Sequence, residues 1–219
     1  MAGEIFQWNI NGIKCQISPN YKDKINQITS ILEKNSSTAI LNIQETHISS
    51  ETELPDFVNL YKHIYHFQKT FSEIEDPSAG ILICIRKTEE IIDTEELEKG
   101  RLLYIKTKNT ANNEINHFFS IYCKSSNSEK QKALITKMRG KIMSDHSIQN
   151  NLLILGDFNF VSSVLDRNSQ TCNRCDLETN KTWQPFENET NIQDCFRLKN
   201  PSRRLYSYTS KINKKSRSE

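Results

Sequence analysis

Three short runs place oxygen-bearing side chains of the kind that hold cations or phosphates: Trp8-Asn9, Ile43-Gln44-Glu45-Thr46 and Leu155-Gly156-Asp157-Phe158-Asn159. Each stands at the end of a stretch that reads as a β-strand. Functional groups of α/β proteins gather beyond the carboxyl ends of strands, where loops converge. Glu45 and Asp157 are the two carboxylates of this set. Hard oxygen ligands with spare coordination positions suit Mg2+, with Mn2+ as the substitute ion. A dication that polarises a phosphoryl oxygen, beside a carboxylate that activates water, would hydrolyse a phosphodiester. Singly, each run has an everyday alternative, because Asp and Asn cap turns and Gly-Asp is a common turn pair. The chemistry rests on the combination.

The elements that must position these runs alternate between strand and helix. Residues 4–8 read as a strand. Residues 21–34 repeat Ile25, Ile28, Ile31 and Leu32 at helical spacing behind the start signal Ser18-Pro19-Asn20, and residues 39–43 form a short apolar strand. Further strands are predicted at 80–86, 101–108 and 117–124, with turn-rich 109–116 between the last two. Residues 128–143 carry Leu134, Met138 and Ile142 one turn apart, an amphipathic helix with Ser126 or Ser128 as its cap. A buried strand at 151–155 follows, then a short helix near 183–190 and a Tyr-rich strand near 205–209. With no internal repeat, the pattern predicts one mixed α/β domain spanning residues 1–219.

Composition excludes several classes. The 219 residues are 36% hydrophobic and 26% charged, with a mean hydropathy of −0.65. Six Gly and five Pro rule out collagen-like and linker-like chains. The longest apolar runs, 81–85 and 152–155, fall far short of the ~20 residues of a membrane helix. The opening Met-Ala-Gly-Glu-Ile lacks the basic and apolar regions of a secretory signal. An intracellular protein, nuclear or cytoplasmic and away from membranes, is therefore expected, as a monomer. The cysteines Cys15, Cys84, Cys123, Cys172, Cys175 and Cys195 are too sparse for a disulfide scaffold. Cys84 and Cys123 read as small core residues. Cys172-Asn-Arg-Cys175 has half of a zinc-site spacing without a second pair, and reads as a loop coincidence. Charge is uneven. Residues 196–219 hold eight basic side chains and one acidic, against 21 basic and 26 acidic before them. A basic segment interleaved with Tyr206 and Tyr208 suits a nucleic acid; a solvated face or frayed tail is the everyday alternative.

Asn9 within Trp-Asn-Ile-Asn-Gly, Gln44-Glu45-Thr46-His47 and Gly156-Asp157-Phe158-Asn159 occur in order with strand-like spacers. Together they resemble the exonuclease–endonuclease–phosphatase superfamily, in particular the apurinic-type endonuclease domain of non-LTR (LINE-type) retrotransposons. The similarity continues through Ser78-Ala-Gly-Ile, Gly100-Arg101-Leu, Ser120-Ile-Tyr122 and Arg204-Leu-Tyr-Ser-Tyr-Thr209. The resemblance implies a four-layer α/β sandwich, two mixed β-sheets face to face with helices outside. It implies Glu45 as the main metal ligand with Asn9 helping to place it, and Asp157 orienting the attacking water with Asn159 in support. Tyr122 would steady the charged phosphorane. Thr209 would contact substrate, with Arg203 and Arg204 of the basic segment beside it in sequence. The implied reaction is Mg2+-dependent nicking of target DNA to leave a 3′-hydroxyl, with a reverse transcriptase module as partner in a parent polyprotein.

Departures from the pattern accompany the matches. Relatives carry Tyr-Ala-Pro-Asn where this chain has Tyr122-Cys123-Lys124-Ser125. The family ends on a Ser-Arg-Ile-Asp strand and a Ser-Asp-His, whereas this sequence ends Ser216-Arg217-Ser218-Glu219. Either Glu219 stands in the Asp register or the last strands are missing. Ser144-Asp145-His146 matches the tripeptide but precedes Gly-Asp-Phe-Asn, so it reads as a helix C-terminal His favouring the dipole. His63 and His66 flank a strand-like stretch and read as structural, His117 opens a strand, and His47 belongs to the motif without a catalytic assignment. Loss of a general acid or base costs ~10²–10⁴ in rate, so a weak or inactive nuclease is expected of this chain. An apurinic/apyrimidinic repair endonuclease or a phosphatase for small phosphoesters of the same fold stays open. So does a non-catalytic remnant that binds nucleic acid.

Overall fold

Short runs rich in Ile, Leu and Phe make most of the strands, some alternating with polar residues and some unbroken, and the direction each run faces decides where the core lies. The computed structural model describes residues 3–13, 20–34, 38–167, 171–204, 208–209 and 217–218. The chain divides into two compact units, Met1–Tyr122 with Asn150–Asp157, and Cys123–Gln149 with Phe158–Glu219.

The first unit holds two four-stranded mixed sheets. One is ordered β1-β2-β4-β3, from Glu4–Asn9, Thr38–Gln44, Ile81–Arg86 and Tyr65–Thr70. The other is ordered β5-β6-β7-β8, from Glu89–Glu98, Leu102–Asn109, Ile115–Tyr122 and Leu152–Asp157. Each sheet has one parallel pair at an edge, β1 with β2 and β7 with β8, and is otherwise antiparallel. Between the sheets, Ile40, Ile83 and Ile85 meet Leu103, Ile105 and Phe118, with Leu153 and Leu155 packed against them. The outer face of the first sheet is covered by α1 (Tyr21–Lys34) and α2 (Asp56–Tyr61), whose Ile28, Leu32, Phe57 and Tyr61 join Leu41, Ile43, Leu82 and Cys84. The α/β class with two mixed sheets and flanking helices follows from this packing.

The second unit is helical. In it α3 (Ser128–Ser144) packs on α4 (Arg174–Thr190). Between them Gln131 Oε1 accepts from Thr179 Oγ1 at 2.6 Å, and Arg139 forks onto Glu189 at 2.5 and 3.0 Å. Phe158, Phe160 and Trp183 meet edge to face, and Phe186 packs tilted on Trp183. A short α5 (Cys195–Lys199) follows, capped by Asp194, and β9 (Tyr208–Thr209) pairs with β10 (Arg217–Ser218).

Several sequence expectations change. The helix expected near 183–190 begins at Arg174, where Asn173 and Asp176 form a reciprocal capping box; Cys175 therefore lies on a helix and not in a loop. The cap of α3 is Asn127, whose side chain accepts from Lys130 N–H, and not Ser126 or Ser128. The strand at 151–155 is β8, an edge strand, so most of it is only half-buried. His117 lies inside β7, buried and bonded to the Tyr104 hydroxyl at 2.9 Å, and His146 follows the helix end at Asp145. Strand β5 has a sequence too acidic to signal a strand. It survives as an edge because most of its carboxylates reach water, which also blunts pairing with other chains, while the buried Glu89 accepts from Thr107, Asn109 and Asn116. Residues 205–207 of the Tyr-rich run, together with Cys15, Ser18, Pro19 and Glu219, lie outside the described residues.

Candidate active site

Each parallel strand pair ends at the same end of the first unit, and along the inward faces of β2 and β7 apolar residues give way to polar ones. On β7 the order is Phe118, Ser120, Tyr122; on β8 it is Leu153, Leu155, Asp157; on β2 it is Ile40, Asn42, Gln44. Ser120 donates to Asn42 Oδ1 across the sheets at 2.7 Å. Gln44 is fully buried, with neither amide atom hydrogen-bonded among the described residues. Beyond this layer the carboxylates gather. The amide nitrogen of Asn9 donates to Glu45 Oε1 at 2.8 Å and to Asp157 Oδ2 at 2.6 Å. The Tyr122 hydroxyl donates to the same Glu45 oxygen at 2.6 Å. Two carboxylates thus stand no further apart than two hydrogen bonds through one nitrogen. Only the amide NH2 fits between them, since a carbonyl oxygen there would face two anions.

The backbone is shaped for this. Glu45 and His47 both have left-handed φ values of 53° and 59°, each costing about 1–3 kcal/mol for residues other than glycine. Hydrogen bonds on both sides hold the bend: Gly12 N–H to Glu45 O at 2.6 Å, Thr46 N–H to Gly80 O at 3.1 Å and His47 N–H to Ala79 O at 3.0 Å. A Cβ on Gly80 would lie 2.4 Å from Thr46 Oγ1, so only glycine lets that segment close over the bend. Next to Asp157, a Cβ on Gly156 would lie 1.9 Å from the Ile121 carbonyl oxygen. Gly156 is therefore the residue that lets β8 approach β7. His47 Nε2 lies 3.9 Å from Glu45 Oε2.

Burial pushes the Tyr122 phenol above the ordinary tyrosine value, reinforced by its hydrogen bond to Glu45 and by that carboxylate's charge. The hydroxyl keeps its proton and stays a donor at any working pH. Lys24, on α1, donates to the Asn11 and Gly12 carbonyls at 2.7 and 2.9 Å. Partial burial lowers the pKa of its ammonium, and attraction to Glu45 opposes that shift.

The sequence-predicted residues Asn9, Glu45, Tyr122 and Asp157 are thus brought together within the first unit. Asn159 belongs to the second unit, where its amide donates to the Cys123 carbonyl at 2.8 Å. Arg203 and Arg204 are exposed, and Thr209 stands opposite Arg217 in the β9–β10 pair. Among the described residues no group of three or more His, Cys, Asp or Glu side chains could hold a metal ion. The pair of hard carboxylate oxygens around Asn9 nevertheless fits Mg2+, which takes one or two carboxylates and completes its shell with water or phosphate.

Sequence reasoning missed Gln7 and Arg101. The Gln7 amide donates to Gly156 O at 2.6 Å and accepts from Gly156 N–H at 2.8 Å, lacing the edge of one sheet to the edge of the other. The strand period of two puts Gln7 and Asn9 on one face of β1, a signal that was available.

No family model matches the chain, and no curated protein matches its sequence. Solved structures do match in three dimensions. The AP endonuclease LMAP from Leishmania major is 16% identical, with a TM-score of 0.71 over 95% of this chain and 73% of that one. The human Nocturnin catalytic domain, with a bound sulfate anion, is 13% identical, with a TM-score of 0.64 over 99% and 81%. D. rerio TDP2, complexed with single-strand DNA product, is 17% identical, with a TM-score of 0.54 over 71% and 60%. The likeness is one of fold: two mixed sheets with flanking helices, the architecture of the exonuclease–endonuclease–phosphatase proteins.

Proposed function

We propose that this chain hydrolyses phosphodiester bonds in DNA, nicking one strand to leave a 3′-hydroxyl in the manner of a retrotransposon endonuclease. The observation that carries this reading is the Asn9 amide bridging Glu45 and Asp157, with the Tyr122 hydroxyl on the same Glu45 oxygen. Fold neighbours that include an AP endonuclease and a protein solved with a DNA product support it. Glu45, aided by Asn9, would hold Mg2+, or Mn2+ in its place. Such an ion supplies Lewis-acid polarisation of a phosphoryl oxygen. Asp157 accepts a proton from the attacking water as its oxygen bonds to phosphorus. The bond from phosphorus to O3′ breaks, the phosphate stays on the 5′ side, and O3′ takes a proton from a solvent water to become the 3′-hydroxyl. With substrate in place the Tyr122 hydroxyl would turn its one proton from Glu45 to the oxygen on which charge develops, a donor of the kind whose removal costs ~10²–10³ in rate. Asn159, Thr209, Arg203 and Arg204 are assigned supporting and substrate-contacting roles on the same reading, and a reverse transcriptase module is the expected partner.

Nicking of supercoiled plasmid in Mg2+ tests the proposal, with Glu45→Ala and Asp157→Ala alongside and a chelator control. Slow conversion to the open circle by the unaltered chain, abolished by each substitution and by chelation, is expected. Absence of nicking, or nicking unaffected by both substitutions, refutes it. Cleavage confined to an oligonucleotide with an abasic site would replace the retrotransposon assignment with a repair one.

A further inference from the structure

Arg101 is buried, with 6% of its surface exposed. It faces Tyr122 one step beyond the Leu102↔Ile121 pair of the β6–β7 ladder. Three contacts join the two residues. The Arg101 carbonyl accepts from Tyr122 N–H at 2.8 Å, Nη1 donates to the Tyr122 carbonyl at 3.1 Å, and the guanidinium carbon lies 4.7 Å from the centroid of the phenol ring. The guanidinium is anchored in turn, with Nε and Nη2 donating to Asp76 Oδ2 at 2.9 and 2.5 Å. Asp76, Arg101, Tyr122 and Glu45 form one chain of contacts that ends at the bridged carboxylates.

We propose that Arg101 is a positioning residue of the active site, acting through Tyr122: its stacked guanidinium sets the direction in which the phenol hydroxyl donates. This rests on the hydrolytic reading above. A buried ion pair is by itself a poor source of stability, yet each nitrogen of this guanidinium, and the face over the phenol ring, is committed either to Tyr122 or to the carboxylate that fixes it. Lysine cannot substitute, because a flexible point charge cannot stack on a ring and fork onto a carboxylate and a carbonyl at once.

The test uses Arg101→Met and Arg101→Lys, each alone and combined with Tyr122→Phe, in the plasmid-nicking assay. A desolvated cation–π contact is worth on the order of tenfold, so each Arg101 variant is expected to nick roughly tenfold more slowly. In the Tyr122→Phe background the same substitutions should cost nothing further. Equal losses in both backgrounds would mean that Arg101 serves the fold alone, and would overturn the proposal. A crystal structure of Arg101→Met provides a reading independent of activity: the Tyr122 hydroxyl is expected to leave hydrogen-bond distance of Glu45, and an unchanged bond overturns the proposal. If the unaltered chain nicks nothing but the hydroxyl is displaced, the hydrolytic reading falls and the coupling of Arg101 to Tyr122 stands. Asp76→Asn, which keeps the cation and slackens its anchor, repeats the assay should Arg101→Met fail to fold; a loss confined to the Tyr122 background is again expected, and equal loss again refutes.

Discussion

Replacing Gln7 with Leu cuts the lace between the two sheet edges without altering any residue of the carboxylate cluster. Two hydrogen bonds disappear, at 2.6 and 2.8 Å, and water replaces part of each because Gln7 is exposed. At about 0.5–1 kcal/mol per bond the cost is about 1–2 kcal/mol, which for a chain of this length lowers the melting temperature by roughly 2–8 °C. Gln7→Glu sharpens the test. At neutral pH its carboxylate still accepts from Gly156 N–H but opposes the Gly156 carbonyl; once protonated, it donates again. Its folded-state pKa is therefore raised above the unfolded value, so its share of stability is present in acid and is lost as pH rises through the folded pKa. Chemical denaturation of the three proteins across pH 4–8 reads this directly. Gln7→Glu should approach the unaltered chain at the acid end and fall toward Gln7→Leu at the neutral end. If Gln7→Leu unfolds at the same denaturant concentration as the unaltered chain, or if the gap for Gln7→Glu does not change with pH, the lace carries no energy and the reasoning fails.

Gly156→Ala places a methyl group where the Ile121 carbonyl lies 1.9 Å away, and should cost about 2–4 kcal/mol, seen as a lower denaturation midpoint with loss of nicking. Burial, and then the hydrogen bond to Glu33, push the Tyr61 phenol up to about 12. Its contribution is present below pH 10 and is lost as pH rises toward 12, so Tyr61→Phe should show a shallower fall in stability over that window; an unchanged slope in denaturation against pH would count against the assignment. Asn173→Ala removes one half of the α4 capping box and should lower stability by about 1 kcal/mol, measured by denaturation, while leaving the contacts of Asn9 and Glu45 in place.

The strands and helices with a clean period were legible from sequence: α1 from Ile25, Ile28 and Leu32, and the strands that deliver Asn9, Glu45 and Asp157. Legible too was the expectation that Glu45 and Asp157 converge, because oxygen-bearing side chains close three predicted strands, and the structure brings both carboxylates onto the Asn9 amide. Strand β5 was not legible, since a largely exposed edge tolerates Glu at five of its ten positions and so erases the alternation. Nor was the start of α4, whose cap, Asn173 with Asp176, looks like any polar turn until its hydrogen bonds form. The roles of Gln7 and Arg101 belong to tertiary structure. A side-chain amide 149 positions from its partner, and a guanidinium whose target lies across a ladder, gain meaning only when sheet edges and strand ends meet. Local pattern determined which elements form and which oxygen-bearing residues close them, and long-range packing decided which others hold them in place, because hydrogen bonds between distant strands exist only once the core has set the distance between them.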